Sequence, residues 1–194
     1  FSANSRRRPI IAAVDVLDSI VSADVRTPLT LRGQPLGRAA AHERISRHMA
    51  NDHTDLKRFR DAQASCYAQV VGELRRGRKT SHWMWFVFPQ IAGLGHSATA
   101  QLYAIASLDE ARAYLADPVL GARLVECTGI INSLEDRTLR EIFGMPDALK
   151  FRSSMTLFAR AASEPQVFRA ALEKYCNSRE DPLTLERLGL GEDG

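Results

Sequence analysis

The sequence predicts an all-α protein, a compact multihelical single domain of about seven helices around one core. Three observations point there. Apolar residues recur at helical spacing through most of the chain after residue 54. Helix start and stop signals follow one another along the same stretch. No run alternates polar and apolar side chains, and no Asn-Gly or Asp-Gly pair separates two strand-like runs.

The elements justify this in order. Leu56, Phe59, Gln63, Cys66, Val70 and Leu74 step along one helical face, and Gly77 can end that helix in the left-handed region. Ser97 can cap "ATAQLYAI". Ser107 with Glu110 reads as a capping box. Asp117–Pro118 reads as N-cap then first helical residue, opening "VLGARLVECTGIINSL". Thr138 with Glu141 is a second capping box, and Gly144 stops that short helix. "PDALKFRSSMTLFARAA" sets Phe151, Met155, Phe158 and Ala162 on one stripe. Ser163 with Gln166 is expected to cap the next helix, and Asp181–Pro182 opens a last short one.

Length and composition fit this class. The 194 residues are 45% hydrophobic and 25% charged, enough for one domain with a core. The first methionine is Met49, and the helical patterning sharpens just after it. Residues 49–194 are therefore expected to form the helical domain. Residues 1–48 are expected to be an extension, poorly ordered or partly helical. That segment carries eight arginines, no lysine and four acids, so the net charge of +3 comes mainly from it. The remainder has no basic bias, so nucleic acid is not expected as the main partner. Cys66, Cys127 and Cys176 lie far apart, with no zinc-ligand spacing, so no metal site is expected. A reducing cytoplasm is the expected location. No apolar run approaches the roughly 20 residues of a membrane span.

"KTSHWMWFVFPQIAGLG", residues 79–95, holds both tryptophans of the chain. Aromatic and branched residues favour a strand there, but Thr80 or Ser81 is a good N-cap and Pro89 ends the run after about two turns. We read a short, nearly buried helix. On a helix over 82–88, His82, Trp85 and Phe86 share one face, with His82 in the first turn. There the dipole favours neutral imidazole, which suits a general base. The alternative is a hydrogen-bonded histidine at the edge of a core.

"RRGRK", Arg75 to Lys79, precedes the aromatics and suits a phosphate or carboxylate; the alternative is a solvated turn. Asp147, Lys150 and Ser154 fall on one helical stripe, with Ser153 beside it. Lysine next to hydroxyls can serve nucleophilic catalysis, though the Ser-x-x-Lys order is absent. The alternative is an ordinary Asp–Lys pair with serines bonded back to the helix. No phosphate loop, dinucleotide fingerprint, nucleophile elbow or HExxH occurs.

"DAQASCYAQVVGELRRGRKTSHWMWFVFPQIAGLGHSATAQLYAI", "ARAYLADPVL" and "LKFRSSMTLF" together resemble a bacterial helical family of unknown function, family 1810 of the domains of unknown function. Its members sometimes carry the label "calpastatin". That label implies little, because calpastatin acts through disordered repeats and this chain has a patterned core. The resemblance covers about residues 54–188 and implies a compact multihelical domain; it supplies no reaction and leaves any cofactor unknown. Its dense polar positions fall on Gln63, Tyr67, Lys79, His82, Trp85, Gln90, Tyr103, Asp147, Lys150, Ser153 and Thr156.

So many polar groups among core residues imply either an internal hydrogen-bond network or a pocket. Three functional readings follow. The first is a pocket for a nucleotide-like or phosphorylated small molecule, lined by His82–Gln90 and Asp147–Thr156. Trp83 or Trp85 would stack on the ligand. Lys79, Lys150 or Arg152 would meet its anionic group, and His82 with Asp147 would move protons. In that reading His82, Asp147, Lys150 and Ser153 are the catalytic candidates. Gln63, Tyr67, Gln90, Tyr103 and Thr156 complete the binding set. The second is a non-catalytic helical protein-interaction module with a structural polar network. The third is weak nucleic-acid binding through the Arg-rich segments.

Overall fold

The computed structural model describes residues 56–191. Residues 1–48 and the proposed domain start at Met49 lie outside the described residues. Within them the chain is all-α, as the spacing predicts, with ten helices rather than about seven. These are α1 (Lys57–Ala64), α2 (Tyr67–Arg75), α3 (Met84–Val87), α4 (Ala98–Leu102), α5 (Leu108–Ala116), α6 (Leu120–Ser133), α7 (Leu139–Phe143), α8 (Met145–Ala161), α9 (Gln166–Cys176) and α10 (Pro182–Arg187).

Part of the excess comes from a break in the first predicted helix. Cys66 leaves helical backbone at φ −127°, and its N–H bonds Gln63 O in a tight turn. The apolar stripe continues across the break, so periodicity alone could not reveal it. Gly77 then takes φ 62°, as its place beyond α2 demands. The strand alternative for residues 82–88 fails, since α3 is helical, but it lasts one turn. No strand occurs among the described residues, only one parallel bridge between Ile91 and Ile105.

Local capping chemistry explains most starts. Ser97, Thr138 and Asp181 accept from Ala100, Glu141 and Thr184 N–H, and Glu141 completes the box with Thr138. Ser107 accepts from Glu110 N–H, but the Glu110 carboxylate turns to Ala106 N–H and Arg58. Asp117 accepts from Val119 and Leu120 N–H, so regular α6 begins at Leu120 rather than at Pro118. Ser163 does not cap α9; Pro165 holds that position without a side-chain bond.

The long helix α8 is central. It packs on α9, α5, α7, α10 and α3, while α6 packs on α9, α5 and α2. Phe151, Met155 and Phe158 are fully buried, as their stripe predicts. Trp83, Phe88, Phe143 and Phe151 form one aromatic cluster with centroids 5.0–6.3 Å apart, mostly edge to face. Cys127 is buried within α6, and Cys66 sits half-buried at the α1–α2 break; all three cysteines are free. Among the described residues no helix is long and apolar enough to cross a membrane.

Two substitutions test this packing by urea unfolding. At Gly121 an added Cβ would lie 2.0 Å from Leu115 O, where α5 and α6 meet. Gly121→Ala is expected to cost about 3 kcal/mol, at the upper end of overpacking. Thr138→Ala removes a cap and is expected to cost about 1 kcal/mol.

Candidate functional site

The connection between α2 and α3 is organised by one carboxylate. Glu73 lies on α2 beside Val70 and Leu74 and is 1% exposed. Its oxygens accept from Thr80 N–H (2.8 Å), Thr80 Oγ1 (2.8 Å), Ser81 N–H (3.2 Å), Ser81 Oγ (2.7 Å), Trp83 Nε1 (2.8 Å) and Gln69 Nε2 (3.1 Å). No cation pairs with it among the described residues. Burial pushes its carboxyl up, but the bonds from Thr80, Ser81 and Trp83 outweigh this and hold it at about 2. Thr80 and Ser81 therefore serve Glu73 and do not cap α3. Trp83 is 1% exposed with its N–H committed, so its ring belongs to the core and offers no open face to a ligand.

Beside this loop stands a second charged group. Asp147, in the first turn of α8, bonds Lys79 Nζ at 2.6 Å through Oδ2 and Lys150 Nζ at 2.8 Å through Oδ1. The side chains are 10% (Lys79), 13% (Asp147) and 25% (Lys150) exposed. Lys79 lies 5.4 Å from the Trp83 ring centroid, and Lys150 lies 4.6 Å from that of Trp85. Burial raises the Asp147 carboxyl, and the Lys150 and Lys79 bonds more than reverse it, so it stays below the usual carboxylate range. Asp147 is thus an anion at neutral pH, with a lysine on each oxygen, and His82 makes no bond to it. His82 is exposed, precedes α3 instead of lying in its first turn, and makes no hydrogen bond among the described residues. The shared face of His82, Trp85 and Phe86 therefore does not form.

The other sequence-derived candidates fall into separate groups. Gln63 is buried and ties four elements together. Its Nε2 donates to Phe86 O (2.7 Å) and Tyr114 Oη (3.0 Å), and its Oε1 accepts from Arg123 (3.2 Å). Tyr67 donates to Glu126 at 2.6 Å and lies under the Arg123 guanidinium. Burial and that carboxylate push the Tyr67 phenol upward, and burial pushes the Cys127 thiol up to about 12. Tyr103 packs on Phe59 and Phe86, and Gln90 accepts from Ile105 N–H through its backbone carbonyl.

Arg152, Ser153 and Thr156 face α10 and the turn before it. Arg152 donates to Arg179 O and Glu180 O, Ser153 donates to Asp181 and Leu149 O, and Thr156 accepts from Asp181 N–H. Lys150 is bonded to Asp147 and Ser153 to Asp181, so these two do not form a Ser–Lys nucleophile pair. Ser154 is fully buried on the same helix, and its hydroxyl is unpartnered among the described residues.

Sequence reasoning missed Glu73, Tyr114 and Arg123, and read Asp181 only as a helix cap and not as the partner of Ser153 and Thr156. One signal was present: an acid at i+3 from buried Val70, followed within ten residues by Thr80, Ser81 and Trp83, all donors. It also missed the clefts. One of about 660 Å³ lies between α5, α6 and the α8–α9 turn, lined by Arg112, Leu115, Val125, Arg160 and Phe168. Arg112 is paired with Asp109 and Arg160 with Glu180. No His, Cys, Asp or Glu cluster among the described residues could hold a metal ion.

Comparison with known proteins fits this all-helical arrangement. The profile of a family described as protein of unknown function (DUF1810) matches residues 53–188. The chain belongs to this family. A solved structure, the conserved hypothetical protein Rv1873 from Mycobacterium tuberculosis, is 57% identical with a TM-score of 0.69. The match covers 70% of this chain and 96% of that one. No curated protein matches the chain. Within the family fold, then, the Glu73 hub and the Lys79–Asp147–Lys150 triad are the local chemistry of interest.

Glu73 gives a pH-dependent prediction. Its folded pKa of about 2 lies below the unfolded value of 4.5. Its contribution is therefore complete above pH 4.5 and lost as pH falls from 4.5 through 2. Over that window the natural chain is expected to lose about 3 kcal/mol more stability than Glu73→Gln. Urea unfolding of both chains across this range measures the difference.

Proposed function

We propose that this chain binds a small anionic molecule with a planar ring, nucleotide-like or phosphorylated, where the α2–α3 connection meets the start of α8. The observation that carries this reading is the charge balance of the triad. Two ammonium groups share one carboxylate, and all three side chains are at most a quarter exposed. Asp147 neutralises one lysine. The tryptophan rings offset part of the second charge, at about 0.5–2 kcal/mol each, and Glu73, bonded to the Trp83 indole, is a further carboxylate nearby that makes no direct ion pair with either lysine. A half-buried excess cation is costly unless an anion meets it. Lysine suits phosphate as a point charge. Trp85, half-buried and already against Lys150, is the ring available for stacking.

The reading is binding rather than turnover. Ser153 is committed to Asp181, and Asp147 is held ionised by both lysines. The interaction-module reading has support of its own. Glu73, Gln63 and Asp181 are satisfied within the chain, as a purely structural network would be. Nucleic-acid binding through residues 75–79 has less support, because Lys79 turns inward to Asp147.

A thermal-shift panel of nucleotides, dinucleotides, sugar phosphates and short RNA tests the reading on the whole chain. A ligand at 100 times its Kd is expected to add about 2.7 kcal/mol, which raises Tm by about 5–10 °C at this size. The response should vanish in folded Lys150→Met and Trp85→Ala and weaken with salt. A silent panel would favour the interaction module.

A further inference from the structure

We infer that Glu73 is the positioning residue of this anion site: through its bonds to the 80–83 segment it holds Lys79 in register with Asp147 and Lys150. The inference rests on the binding reading above and adds a residue outside the triad. The route is visible bond by bond. Arg78 N–H bonds Glu73 O, and Lys79 N–H bonds Ile142 O on α7 at 2.7 Å. Immediately afterwards, Thr80 and Ser81 each give Glu73 both a backbone N–H and a hydroxyl. Lys79 is thus clamped on both sides, and its ammonium meets Asp147.

A second route runs through the indole. Glu73 accepts from Trp83 Nε1 and so fixes the ring plane. That ring lies 5.4 Å from the Lys79 ammonium. Between residues 78 and 83 only Lys79 and His82 make no bond to Glu73. One enters the triad and the other is exposed.

A carboxylate suits this position because the donors converge on it, and a neutral amide would not. Glutamine in its place keeps one acceptor oxygen and turns an NH₂ toward N–H and O–H donors. The segment would loosen while the core stayed packed. A residue with only a structural role would change stability and leave the Lys79–Asp147 contact as it is.

The test uses the full chain as Glu73→Gln, as the milder pair Thr80→Val/Ser81→Ala, as Lys79→Met, and as Asp181→Asn at the distant α8–α10 contact. Two readouts are followed: the Asp147 carboxyl by ¹³C NMR titration, and AMP binding by calorimetry. Lys79→Met removes one of the two cations that lower Asp147, so its titration moves up. Glu73→Gln and the hydroxyl pair are expected to move it the same way and to weaken AMP binding at least tenfold. Asp181→Asn is expected to do neither. If Glu73→Gln fails to fold, the hydroxyl pair decides alone. An unchanged Asp147 titration in both loop variants, or unchanged AMP affinity beside a binding natural chain, overturns the inference and leaves the site reading standing. A natural chain that does not bind AMP overturns the site for that ligand and, with it, Glu73's assignment.

Discussion

Glu73 is a carboxylate sunk into the wall of α2, with no cation paired to it among the described residues, and the α2–α3 connection is arranged around satisfying it. A buried charge without a counter-ion survives only when hydrogen-bond donors replace its lost water. Here they come from a single short stretch, Thr80 to Trp83, with one more from Gln69. The same bonds set the course of the chain from α2 into α3. They pull the Trp83 indole into the core, where it meets Phe88 and Phe143. They leave Lys79 pointing at Asp147.

The aromatic segment is consequently two things at once. Its inner members, Trp83, Met84, Val87 and Phe88, are core. Its outer members, Trp85 and Phe86, are half-buried. Phe86 also lends its carbonyl to Gln63 and Tyr114, which anchors the one-turn helix α3 to α1 and α5. A helix that short has no intrinsic stability. It exists because tertiary bonds hold both its ends. The opposite regime holds for α8, whose seventeen residues carry a buried stripe against five neighbours. The triad sits where these two regimes meet, with one lysine on a loop and the other on the rigid helix. That explains why its geometry depends on the loop's anchor.

Much of the fold was legible in the sequence, because its signals are local. The boxes and caps at Thr138, Ser97 and Asp181 need only residues three apart, and the structure keeps them. The Phe151–Met155–Phe158 stripe needs only the helical repeat. The failures share a cause. Ser107 caps, yet Glu110 turns to Arg58, a residue far away in sequence. Ser163 has a good local pattern and loses to Pro165. Among the site candidates, Lys79, Asp147, Lys150 and Trp85 do come together. Arg152, Ser153 and Thr156 share their helix but serve the turn before α10. The two groups lie on different faces of that helix, and periodicity alone does not say what each face will meet.

The sequence by itself determined the helical class, the positions of most helix ends and the burial of the α8 stripe. These follow from spacing, capping chemistry and hydrophobicity, which act within a few residues. Only the tertiary structure decided that Trp83 is core while Trp85 is not. Likewise, only it decided that Glu73 is a hub, and that Lys79 and Lys150 share Asp147. The physical reason is the same in each case. A polar side chain's role is set by the partner that meets it after burial, and the deciding partners, from Thr80 and Trp83 on Glu73 to Lys79 on Asp147, lie 7 to 68 residues away along the chain.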